Sequence, residues 1–298
     1  MSYSLRNVRI ATVFLLPKCD LSCRFCGSDL GFNALNESEA LRWVSFAASN
    51  GYSSVVLGGG EPLLWPGDLQ RVGARAKELG MVVQLNTNGV AWRKELETTD
   101  AIDRIILPLD GATAESHDYL RKPRGGHRAV VEDRLDRLSK SGKQATVGSV
   151  ICRPNLAELP LLSAELQGRV DRGLNLHAWH LYRFIPIGRG GAVDGRNDEI
   201  GLEADEFRRH CEPIQASQAV PGEEPGVDEF SSARSWKIYR RPDMTQSRDV
   251  DFFWKDKGVW CASGRGAATE GIIGASSLDA ECIPVHSELE PLTPSENV

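Results

Sequence analysis

Six short apolar runs, each followed by a helix-like segment, constrain this chain more than any other feature. The runs are IATVFLL (10–16), SVVLG (54–58), MVVQLN (81–86), RIILPL (104–109), QATVGSVI (144–151) and HAWHLYRF (177–184). They are rich in Val, Ile and Leu, as strands covered on both faces of a parallel sheet are. Helical segments lie near 37–50, 68–80, 91–98, 113–121, 127–141 and 156–170. Asn36 with Glu39 three residues on has the pattern of a capping box at the first of them. Six β-then-α units in a row predict an α/β fold with parallel strands, a partial (β/α)6 barrel of TIM type. In such folds the chemistry gathers on loops at the C-terminal ends of the strands.

The regularity stops near residue 186. A glycine-rich loop, PIGRGGAVDGRNDEIG (186–201), leads to a helix near 203–218. An acidic, Pro/Gly-rich stretch, VPGEEPGVDEFSS (220–232), then reads as a surface linker. The chain thus divides into a core over 1–200 and a smaller extension over 201–298. Its 298 residues, 41% of them hydrophobic, can bury a substantial core. The net charge of −6 argues against a general nucleic-acid partner. No apolar run approaches the roughly 20 residues of a membrane helix, and MSYSLRNVRI lacks the layout of a signal peptide. The expectation is a cytoplasmic protein with neither membrane nor nucleic-acid partner.

Seven cysteines, an odd number, fit metal binding or chemistry in a reducing compartment better than a disulfide framework. Three of them, Cys19, Cys23 and Cys26, fall in CDLSCRFC, on the loop after the first run. A structural zinc wants four ligands. A cubane iron–sulfur cluster held by three cysteines keeps one iron open. Spacing alone leaves iron–sulfur, zinc, and a disulfide with a spare thiol as alternatives. Cys152 and Cys211 stand alone and read as buried small apolar residues, with Cys152 also a catalytic candidate.

The C-x3-C-x2-C spacing, with Phe25 before the last cysteine, resembles the signature of the radical S-adenosylmethionine (SAM) enzymes. GGGEPLLW (58–65), NTNG (86–89) and LDGATAESHDYLR (109–121) resemble further motifs of that family, in the same order. RFIPIGRGG (183–191) resembles the sixth-strand segment of a branch that includes molybdopterin, haem-d1 and peptide-modifying enzymes. The resemblance covers about the first 190 residues. One departure is Pro108, where a serine is common.

The resemblance implies that Cys19, Cys23 and Cys26 hold a [4Fe–4S] cluster whose open iron chelates SAM. Reductive cleavage of SAM would then give a 5′-deoxyadenosyl radical that removes a hydrogen atom from the substrate. It further implies cofactor contacts from Gly59, Gly60 and Glu61 toward the SAM ammonium, from Phe25 near the adenine, and from Thr87, Asn88 and Ser149. Asp110 and Arg121 read as a partnered pair that orders a loop. Substrate-facing candidates are Ser149 on the fifth run and His177, Trp179, Tyr182 and Arg183 on or beside the sixth. Alternation puts 178, 180, 182 and 184 on one face and 177, 179, 181 and 183 on the other. Arg183 and Arg189 are also candidates for binding a carboxylate or phosphate.

GVWCASGRGAATEGIIGASSLDAECIP (258–284) resembles the start of the SPASM or twitch domains that follow many of these barrels, with Ser277 in place of a usual glycine. Cys261 and Cys282 are the candidate ligands of a second iron–sulfur cluster, which would also need Cys211, His286, a substrate atom or an open iron. The alternative is a hairpin that caps the barrel without iron. YRRPDMTQSRDVDFFW (239–254) reads either as the wall of an anionic pocket or as a surface loop before an aromatic hairpin. The expected substrate is a specialised small molecule (a nucleoside, sugar or carboxylic acid), with a short ribosomal peptide as the alternative; the expected reductant is a flavodoxin or ferredoxin. No segment resembles a leader-peptide recognition domain, which tilts the expectation toward a small substrate. A non-catalytic metal-binding module is the reading from a different class.

Overall fold

The computed structural model describes residues 10–28, 31–123, 125–191, 199–216, 229–230, 236–241, 250–256 and 259–263. The predicted runs become strands β1 (Ile10–Leu16), β2 (Ser54–Gly59), β3 (Val82–Asn86), β4 (Arg104–Pro108), β5 (Gln144–Ile151) and β6 (Leu176–Arg183). They pair in parallel and in sequence order within one open sheet. This is the α/β, partial-barrel arrangement that the alternation predicts.

Helices α1 (Glu37–Ser49), α2 (Leu69–Glu78), α3 (Ala114–Arg121), α4 (His127–Ser141) and α5 (Leu159–Asp171) connect the strands. The expected capping box opens α1: the Asn36 side chain accepts from the Glu39 amide at 2.9 Å, and the Glu39 carboxylate accepts from the Asn36 amide at 2.9 Å. Gly142, at φ +72°, closes α4 in the left-handed conformation. The segment expected as a helix near 91–98 makes only a 3-10 turn over Lys94–Glu97. It is short, and Thr98, Thr99 and Asp100 after it favour turns over helix. Pro160, in the first turn of α5, fits the start of a helix, where its missing N–H needs no partner.

Each strand sends alternate side chains to two covered faces. In β1, Ala11, Val13 and Leu15 are buried against the helices, while Ile10, Thr12 and Phe14 face the lumen. In β6, Trp179 and Leu181 lie on the helix side and His180 and Tyr182 on the lumen side. This two-sided burial is why the strands read as continuous apolar runs.

After the turn α6 (Gly188–Gly191) and helix α7 (Ala204–Ala216), the extension returns to the same sheet. Strand β8 (Lys237–Arg241) lies parallel to β6, and β9 (Val250–Asp256) lies parallel to β1. Short β7 (Glu229–Phe230) and β10 (Val259–Ser263) add antiparallel partners outside them. The sheet therefore runs β10-β9-β1-β2-β3-β4-β5-β6-β8-β7. Among the described residues no helix is long and apolar enough to cross a membrane.

Candidate active site

The loop after β1 carries Cys19, Cys23 and Cys26. Its backbone is held from three sides. The Gly60 amide donates to Leu16 O at 2.7 Å and the Glu61 amide to Lys18 O at 2.9 Å. From α3, Leu120 O accepts from the Arg24 amide at 2.8 Å, and from α6 the Gly190 amide donates to Cys26 O at 2.8 Å. All three cysteines open onto one cavity of about 370 Å³ at the C-terminal ends of the strands. Burial pushes the Cys23 thiol up to about 11 and raises Cys19 as well. Such thiols hold their protons until a metal displaces them. Cys152 and Cys211 are fully buried and do not line the cavity. Three soft donors on a shielded cavity fit a cluster with one open iron better than a closed zinc site.

Gly59 and Gly60 line this cavity, but their lack of a Cβ serves the chain itself. Gly59 has φ +115°, and a Cβ there would sit 2.7 Å from Leu16 O. A Cβ on Gly60 would sit 2.2 Å from Lys18 O. Only glycine lets the turn after β2 close on the root of the cysteine loop. Glu61 is wholly buried and does not line the cavity. Its carboxylate accepts from the Leu63 amide at 2.9 Å, the Thr87 hydroxyl at 2.6 Å and the Asn88 amide at 2.7 Å. Burial raises it to about 7. Glu61 thus serves as the joint between two turns. Thr87 and Asn88 do line the cavity, and the Asn88 side-chain amide donates to Asp20 at 2.6 Å, next to Cys19.

Asp110 and Arg121 form the expected pair: Arg121 Nε donates to Asp110 Oδ2 at 2.5 Å, and the Asp110 carboxylate also accepts from the Val150 amide at 2.7 Å. The Arg121 guanidinium lies over the Phe25 ring at 4.9 Å and reaches Cys23 Sγ at 3.9 Å. Phe25, Arg121 and Pro108 all line the cavity. At Pro108 the ring brings no donor, so the hydroxyl contact of the more common serine is absent.

Sequence reasoning did not find a buried histidine chain behind these loops. The Asp110 amide donates to His117 Nδ1 at 3.0 Å, so His117 carries its proton on Nε2. That proton goes to His127 Nδ1 at 2.9 Å, and His127 Nε2 then donates to Asn88 O at 2.8 Å. Burial holds both rings neutral, lowering His117 to about 2 and shifting His127 the same way. His117, Asp118 and His127 are close enough together to suggest a metal site, but the chain engages every ring nitrogen. Only the "HD" of LDGATAESHDYLR hinted at it.

The later strands separate the remaining candidates. Tyr182 faces the cavity. His177 and Arg183 fall on the other face of β6, where Arg183 donates to Leu202 O at 3.0 Å. Ser149 is buried on the helix side of β5, donating to Leu109 O and accepting from Trp179 Nε1 at 2.8 Å. It does not line the cavity. Cys152 is fully buried behind the cysteine loop, packed with Leu120 and Phe184, and burial raises its thiol. Cys261 lies on edge strand β10, while Cys282 and His286 lie outside the described residues. Beside Tyr182 the cavity wall carries His180, missed by the sequence reading except as a member of the same face. His180 stacks on Tyr182 at 5.8 Å and on Tyr239 at 4.9 Å. Gly148 makes room for this wall, since a Cβ there would press on the Tyr182 ring at 3.3 Å. Phe14 and Phe252, also on the cavity lining, pack edge to face at 6.1 Å.

A parallel partial barrel with three cysteines at the end of its first strand defines a class that the comparisons identify. The model of the radical SAM superfamily matches residues 13–158, so the chain carries a radical SAM domain. It is 28% identical over 187 residues to the AdoMet-dependent heme synthase of Methanosarcina barkeri, a match covering 60% of this chain and 52% of that protein. It is also 28% identical over 158 residues to the GTP 3',8-cyclase of Syntrophomonas wolfei, covering 50% and 48%. The chain therefore spans about half the length of these curated relatives. Among solved structures, Streptococcus suis SuiB superposes with a TM-score of 0.55 at 16% identity, over 70% of this chain and 46% of SuiB. That likeness supports the fold.

Proposed function

We propose that this chain cleaves SAM reductively and uses the resulting radical to remove a hydrogen atom from a small-molecule substrate. The observation that carries this reading is the meeting of Cys19, Cys23 and Cys26 with the Gly59–Gly60 turn and the Thr87–Asn88 loop on one cavity. A [4Fe–4S] cluster held by the three thiols would pass one electron to SAM, splitting it into methionine and the 5′-deoxyadenosyl radical. The protein's part is to shape and dry the space around them. Gly59, Gly60, Thr87 and Asn88 offer polar backbone and side-chain groups for SAM. Phe25, sandwiched against Arg121, offers an apolar face for its adenine.

The His180–Tyr182 wall and the Phe14–Phe252 pair line the same cavity, whose lining is made largely of rings and aliphatic side chains. Among the described residues that line it, none is a carboxylate, and the only guanidiniums belong to Arg121 and Arg189 beside the cysteines. Such walls suit a substrate with a flat ring, because stacking favours π-faces whatever their substituents. Within the expected classes this favours a nucleoside over a simple sugar or carboxylic acid. A flavodoxin or ferredoxin in a reducing cytoplasm would supply the electron.

The test is 5′-deoxyadenosine release by anaerobically reconstituted protein given SAM and dithionite, with Cys26→Ala beside it and nucleosides added in turn. Release by the wild type alone is expected, rising with a ring-bearing substrate. A colourless, air-stable preparation that carries zinc in place of iron would overturn the reading in favour of a structural metal module.

A further inference from the structure

Arg189 sits on the α6 turn, which is pressed onto the cysteine loop. A Cβ on Gly188 would fall 2.3 Å from Gly27 O, and one on Gly190 would fall 2.5 Å from the Cys26 amide nitrogen. The two glycines let the backbones touch, and Arg189 between them is aimed along the loop. Its Nη2 donates to Leu21 O at 3.1 Å, midway between Cys19 and Cys23. Its Nε is buried without a protein partner, and the side chain lines the same cavity as the three thiols.

The other guanidinium at the cysteines is compensated, since Arg121 is paired with the buried Asp110. Arg189 differs. It lines the cavity with Cys19, Cys23 and Cys26, and no carboxylate among the described residues pairs with it. A positive charge is thus committed to the sulfur face of the loop.

Resting on the proposed [4Fe–4S] reading of this site, we propose that Arg189 is a positioning residue for electron uptake, whose guanidinium raises the reduction potential of the cluster on Cys19, Cys23 and Cys26. One-electron reduction adds a negative charge to a group that already carries three thiolates. A cation within a few ångströms stabilises the reduced form more than the oxidised one, because the attraction grows with the charge it faces. Hydrogen bonds to cluster sulfurs act in the same direction. The anion that Arg189 serves is then the thiolate cluster, in place of a substrate carboxylate or phosphate.

The experiment is a dye-mediated redox titration of the full chain, reconstituted without SAM and followed by the EPR signal of the reduced cluster, for wild type, Arg189→Lys and Arg189→Gln. Arg189→Gln should load wild-type iron and titrate at a more negative midpoint. Arg189→Lys, which keeps the charge, should fall between Arg189→Gln and wild type. A fully loaded Arg189→Gln with the wild-type midpoint overturns the inference and leaves the cluster reading standing. Loss of iron from Arg189→Gln under conditions that load the wild type also overturns it, making Arg189 a structural clamp. A wild-type chain that assembles no cluster removes the reading of the site, and this inference with it.

Discussion

Glu61 accepts three hydrogen bonds inside the protein, from the turn it belongs to and from the Thr87–Asn88 loop. Glu61→Gln replaces one acceptor by a donor facing N–H groups, which should cost about 1–3 kcal/mol, read as a lower urea midpoint for the iron-free protein. Its proton also has a consequence for pH. Folding raises Glu61 from its ordinary 4.5 to about 7, so between those values the folded chain holds the extra proton and Glu61 adds stability as pH falls. His117 and His127 act oppositely. Folding lowers both, so below about 6.5 the unfolded chain takes up their protons, and stability drops by up to about 1.4 kcal/mol per pH unit for each. The slopes of Glu61 and His117 nearly offset each other, and the downward shift of His127 tips the balance toward loss. Urea midpoints should fall on acidification from pH 6.5 to 5, and more steeply in Glu61→Gln; a flat profile would remove the neutral-histidine account. At the thiols themselves, Cys23→Ser should abolish iron uptake, measured as iron content and visible absorption, without unfolding the chain.

At the scale of elements, the strands were legible because each is apolar along its whole length, and β1 and β5 begin and end where the sequence pattern places them. The capping box of α1 was legible because both of its residues are local. The cysteine motif was legible for the same reason. What could not be read was register. Whether Tyr182 or Arg183 faces the lumen depends on one residue of phase in β6, and sequence alternation fixes the faces without saying which is inside. Glu61 illustrates the same limit: its motif is local, but its partners are 26 and 27 residues away across a strand pair. The glycines were legible as turns and not as contacts. Gly60→Ala drives a Cβ into Lys18 O, so the cysteine loop must shift. It should lose about 1–3 kcal/mol by urea denaturation and load less iron than wild type.

For the whole molecule, the informative feature is that the extension supplies a parallel strand to each edge of the six-stranded core. β9 covers the open edge of β1, and Phe252 completes the small cluster of Phe14 and Phe32. An uncovered edge beside apolar side chains is a template for association. A chain cut after residue 241 should therefore show a concentration-dependent rise in size by light scattering, at concentrations where the full chain stays at a single size. Unchanged size would mean that β9 contributes little to guarding β1.

The contact between α6 and the cysteine loop also carries a consequence for the order of events in the cell. Arg189 and Leu21 are 168 residues apart in sequence, so the three thiols reach the ribosome exit long before the turn that clamps them. A nascent chain shows its cysteines early, while the walls that shield them arrive last. Iron delivered to an unfinished chain would meet a solvent-exposed, unclamped loop. Ribosome-stalled chains ending before residue 188 should hold little iron next to chains stalled well beyond residue 263, which would make cluster insertion a report that the barrel has been completed.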